Sequence, residues 1–134
     1  MLAFFLTLSA LAAGPVVVLP FEAEEADRHL AEALSTWVTE DLEAQEGIDV
    51  LPRLALETAE RKGVLDGHLK EAATVVSGKL VREVDSVSLL LRIQDGEDLA
   101  TASPAAALGD LEHRAVMHIG RHLGTSVTLS LIHI

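Results

Sequence analysis

The chain reads as a small α/β domain in which a mixed β-sheet is packed by helices. Three observations lead there. The apolar period switches repeatedly between strand-like and helix-like, a continuous β-branched run opens at Val16, and a long alternating hairpin occupies Thr74 to Gln94. With 49% hydrophobic residues, the 134-residue chain can build one core, and one domain is the expectation.

Val16 to Phe21 is continuous and apolar, the pattern of a central strand buried on both faces. From Asp27, the apolar residues Leu30, Leu34, Trp37, Val38 and Leu42 recur along one face of a helix that ends near Gly47. Glu22, Glu24, Glu25 and Asp27 crowd its start, where the helix dipole favours negative charge. Ile48 to Leu51 reads as a short strand stopped by Pro52, Leu54 to Lys62 as a helix ended by Gly63, and Asp66 to Ala73 as a further helical piece. The hairpin pairs Thr74–Val84 with Val87–Gln94 around Asp85-Ser86. Leu89, Leu91 and Ile93 alternate with Ser88, Leu90 and Arg92, so Leu90 makes the outer face partly apolar. A weak edge strand is expected near Ala100 to Ser103, inside a connection from Gly96 to Gly109 that reads as mobile. The last helix covers Leu108 to Leu123, with Leu111, Ala115, Ile119 and Leu123 along one side.

Charge narrows the function. Asp and Glu number 21 against 10 Lys and Arg, a net charge of -11, which repels nucleic-acid phosphates and anionic lipid surfaces. Cysteine is absent, which removes disulfides, thiolate zinc sites and thiol catalysis. The opening MLAFFLTLSALAAGP carries an apolar run and the small-x-small triplet Ala10-Leu11-Ala12, so residues 1–12 are expected to be a signal peptide. The run is too short for a stable membrane span and is broken by Gly14-Pro15. At the other end, LSLIHI, residues 129–134, is identical to one reading frame of a transposase mosaic-end adapter used in sequencing libraries. The natural reading frame is therefore expected to diverge after Thr128, leaving 13–128 as the domain.

The chemical candidates are few. No glycine loop follows the first strand, where Phe21-Glu22-Ala23-Glu24 would repel a phosphate. His118 and His122, one helical turn apart, are the best metal-binding pair, but they border an apolar stripe, where an imidazole can bury its ring and keep a nitrogen wet. His113 points elsewhere on the helix. Glu40, Asp41 and Glu43 read as a solvated acidic helix face. Lys79, Arg82 and Arg92 read as outward charges that block edge pairing, with a cationic strip for an acidic partner as the alternative. Trp37 reads as core, and neither Ser35 nor Ser77 has a His-Asp arrangement beside it. No catalytic, cofactor or metal residue is assigned.

The order of motifs resembles the amino-terminal domain of TolB and its CsgG-like and FlgO-like relatives. The residues that carry it are "VVVLPFE" with Leu19-Pro20-Phe21, the helix "LAEALSTWVTEDLEAQEG", "IDVLPR" with Arg53, and Gly78-Lys79-Leu80 in the hairpin. The chain departs just before the hairpin, where Lys70-Glu71-Ala72-Ala73-Thr74 stands for a Leu-Gly-Ala-Asp-like stretch. The resemblance implies a non-enzymatic domain of a cell-envelope protein, usually joined to a second domain. The expected role is an exported, periplasmic module that binds a protein partner or a missing carboxy-terminal domain, without cofactor. Rival readings are a small-molecule or metal-binding domain using His118 and His122, and a cytoplasmic regulatory sensor.

Overall fold

A computed structural model describes residues 15–94, 96–104 and 107–124, so the expected signal peptide and the 129–134 tail lie outside the described residues. The elements run β1 (Val16–Val18), α1 (Arg28–Glu43) after a single 3-10 turn, α2 (Arg53–Lys62), α3 (Leu65–Glu71), β2 (Thr74–Arg82), β3 (Ser86–Ile93), β4 (Leu99–Pro104) and α4 (Leu108–His122). The four strands form one mixed sheet in the order β1-β2-β3-β4, with β1 parallel to β2 and the other pairs antiparallel.

Two strand expectations need correction. The first strand is not central. It ends the four-strand order, beyond which Val16 makes only a single parallel bridge to Val50, and Ile48 to Leu51 contributes no more than that bridge. Its three valines are nevertheless all buried, as the apolar run required. The strand also stops at Val18 because Pro20 has no N–H to pair; the chain rejoins β2 at Glu22, whose N–H donates to the Gly78 carbonyl at 2.9 Å. The edge strand expected at Ala100 to Ser103 is present as β4, Leu99–Pro104, held antiparallel to β3 in the register Leu89↔Thr101.

Helix limits follow local chemistry. α2 starts directly after Pro52, and Gly63 ends it at φ 72°, the left-handed cap that glycine takes without a Cβ penalty. α1 and α4 pack beside each other on one face of the sheet. There Leu34, Val38, Leu42, Leu111, Ala115 and Ile119 meet Val76, Leu80, Leu89 and Leu91 in one core. Val17, Leu56 and Ala59 are buried outside that cluster. Trp37 packs only partly buried at the rim of the core, less deeply than its spacing implied. The Phe21 ring covers Gly78 so closely that a Cβ there would lie 2.8 Å from a ring carbon. That contact ties Leu19-Pro20-Phe21 to Gly78-Lys79-Leu80, two motifs far apart in sequence.

Candidate functional site

The hairpin charges divide between the two faces of the sheet. Lys79 and Arg92 occupy alternate positions that face away from α1 and α4, whereas Arg82 has the opposite parity. Arg82 reaches Asp27 at the start of α1: Nε donates to Oδ1 at 3.0 Å and Oδ2 at 3.2 Å, and Nη2 lies 2.9 Å from Oδ1. The hydrogen bond to Asp27, then its charge, raises the guanidinium pKa above its ordinary value. Asp27 therefore fastens α1 to β2 as well as meeting the helix dipole. The single cationic strip considered from sequence does not exist.

On the far face of the sheet, Leu90 is 46% exposed and stands between Lys79 on β2 and Ala100 on β4. Arg92 lies diagonally across from Lys79 and reaches Asp98 at 3.5 Å, with both partners largely exposed. These residues, with Leu19 and Pro20, line a shallow groove of about 560 Å³. A second apolar exposure, Leu54 at 72% and Val64 at 49%, lies at the ends of α2 beside a groove of about 550 Å³.

The acidic face of α1 needs a correction. Glu40 and Glu43 are exposed, but Asp41 is only 4% exposed and points into the seam between α1 and α4. It meets Glu112, which is 0% exposed, and His113, whose side chain is 12% exposed. One donor atom from each lies within 4.8 Å of the others, and His113 Nε2 is 3.2 Å from Glu112 Oε2. Burial pushes the Glu112 carboxyl pKa up to about 9, helped by its hydrogen bond to Asp41 and by the negative charges of Asp41 and Glu40. Glu112 is therefore protonated at neutral pH and shares its hydrogen bond with Asp41. The sequence did carry a signal for the pair. Asp41 falls three residues after Val38 and seven after Leu34 on the apolar stripe of α1, and Glu112 lies four before the buried Val116.

His118 and His122 both face the β3–β4 connection. The Nε2–H of His118 donates to the Glu97 carbonyl, and a Cβ on Gly96 would lie 2.6 Å from Nδ1 and Cε1 of His122. The two imidazoles hold the β3–β4 connection against α4. As expected, His113 does not join them. Ser35 Oγ donates to the Glu32 carbonyl within its own helix, and Ser77 lies on the outer sheet face opposite Arg92. Arg53 begins α2 with Nε and Nη1 buried and Nη2 3.6 Å from Glu57.

A mixed four-stranded sheet with two helices across one face is the architecture of the TolB amino-terminal type. The chain superposes on TolB from Acinetobacter baumannii with a TM-score of 0.57 and 16% identity, over 83% of this chain and 28% of that one. It thus spans little more than a quarter of the TolB chain. Weaker matches are a PelC dodecamer from Paraburkholderia phytofirmans (TM-score 0.42, 16% identity, 84% of this chain and 86% of that one) and lipoprotein GNA1162 from Neisseria meningitidis (0.41, 20%, 81% and 99%). No family model and no curated protein matches the sequence. Among the described residues, no helix is long and apolar enough to cross a membrane.

Proposed function

We propose that the chain is an exported, non-enzymatic module of a bacterial cell envelope that binds a protein partner through the outer face of its sheet. The observation that carries this reading is Leu90, a half-exposed leucine in the middle of a strand, flanked by the cationic side chains Lys79 and Arg92 on an otherwise acidic chain. That face suits a segment presenting an apolar anchor ringed by carboxylates. The Arg92–Asp98 pair is no obstacle, because so exposed an ion pair contributes little and exchanges readily. The TolB-type fold and the export-like opening support an envelope location.

A photo-crosslinking residue at Leu90, with Glu43 on α1 as the control site, tests the reading in cells. Adducts with an envelope protein at Leu90 and none at Glu43 are expected. Equal labelling at both sites, or cytoplasmic protein with an intact amino terminus, would refute it.

A further inference from the structure

We infer that the seam between α1 and α4 is a binding site for one divalent transition-metal ion, held by Asp41, Glu112 and His113. The donor set is the Asp41 carboxylate, a Glu112 oxygen whose proton the ion displaces to solvent, and one imidazole nitrogen, which suits zinc and its neighbours better than magnesium, an ion that demands octahedral oxygen and keeps its waters. The geometry is compact enough. Donor atoms of a tetrahedral ion with bonds of about 2.0–2.2 Å lie a little over 3 Å apart, and here they lie within 4.8 Å of one another, with His113 and Glu112 already at 3.2 Å.

Two further observations point to a cation. The first is His113 Nε2, which is wholly buried and makes no hydrogen bond despite its closeness to Glu112. A buried ring nitrogen normally finds such a partner. This one lies 3.2 Å from Glu112 Oε2 and within 4.8 Å of an Asp41 oxygen without a hydrogen bond, which leaves its lone pair for an ion. The second is the position of Asp41 in the last turn of α1, which ends at Glu43. The carbonyl end of a helix carries partial negative charge, so a carboxylate is misplaced there and a cation is favoured. A bound dication turns both costs into attraction and links the two helices that cover the sheet.

The site owes nothing to His118 and His122, which are committed to the β3–β4 connection. The test uses the whole chain, stripped with chelator and titrated with zinc chloride by calorimetry, with magnesium chloride as the comparison. One zinc per chain is expected, with a raised melting temperature and no comparable response to magnesium. In Asp41→Asn and His113→Leu the affinity should fall at least about tenfold, a loss that even outer-shell partners produce. The double change His118→Ala with His122→Ala should leave it unchanged. Circular dichroism of each metal-free variant separates lost ligation from lost folding. Zinc affinity that survives in folded Asp41→Asn, that vanishes only with His118 and His122, or that is absent from the wild type overturns the site. Loss of zinc binding leaves the crosslinking test of the sheet face untouched, so the two readings fail separately.

Discussion

Leu89 and Leu90 are consecutive residues of one strand with identical side chains and opposite circumstances. Leu89 is fully buried against α1 and α4, while Leu90 meets solvent beside Lys79. The pleat sends neighbours to opposite faces, so one helix layer divides β3 into a stabilising half and a free half. Along β3 the main core lies on the helix side, and the opposite side is the face proposed above for a partner.

The comparison can be broken most directly at Leu89. Leu89→Ala leaves a cavity in a close-packed core and should cost about 2–5 kcal/mol of unfolding free energy, measured by urea denaturation. A loss below about 1 kcal/mol, the size of an ordinary surface effect, would show that the helix layer is not the stabilising one.

Glu112→Gln, on the same side, should act in the opposite direction. In the metal-free protein the folded state keeps a proton up to about pH 9 that the unfolded chain, near its ordinary 4.5, has already released. Stability is therefore greatest below pH 4.5, declines as pH rises toward 9, and levels off beyond. At neutral pH the penalty is roughly 3 kcal/mol, and the glutamine variant should recover much of it while losing the pH slope between those limits. Urea midpoints at pH 4, 7 and 9 check the sign. A wild type whose stability rises across that range would contradict the buried proton.

Gly78→Ala addresses the tie between the motifs. Its Cβ would stand 2.8 Å from the Phe21 ring, itself buried, so a loss of about 1–3 kcal/mol is expected from overpacking. Phe21→Leu in the same background should recover part of it. The smallest effect belongs to Leu90→Ser, which should change stability by about 0.5 kcal/mol or less. Its consequence is loss of the crosslinked adduct at a neighbouring probe, Ala102. A large stability change from Leu90→Ser would mean that the outer face is structural after all.

Much of the helix-side core was legible because its period is regular. Leu34, Val38, Leu111, Ala115 and Ile119 could be placed from spacing alone, and Gly63 marked a helix end. β1 was misplaced for a physical reason. An apolar run reports burial of both faces, which an edge strand also has when layers cover it, and says nothing about neighbours in the sheet. Asp41 carried a positional signal, three residues after Val38 on the apolar stripe, but its exposed neighbours Glu40 and Glu43 make the three acids read as one solvated patch. The partner Glu112 comes from another helix, and no spacing within α1 announces it. The Phe21–Gly78 contact was visible only as two motifs, without the reason for their pairing.

The parallel pairing of Val16 with Thr74 places α1, α2 and α3 between the two partners, whereas β2, β3 and β4 follow one another through short connections. Closing the first pair loses far more chain entropy than zipping the meander. The three antiparallel strands and α4 are therefore expected to make the early nucleus, with β1 docking after the rate-limiting step. A truncating change such as Val17→Ala should then speed unfolding and leave the folding rate nearly constant, whereas Leu89→Ala slows folding. On this order β1, the first strand among the described residues, is expected to be added to the sheet last and to be released first when the domain is pulled from its amino-terminal side.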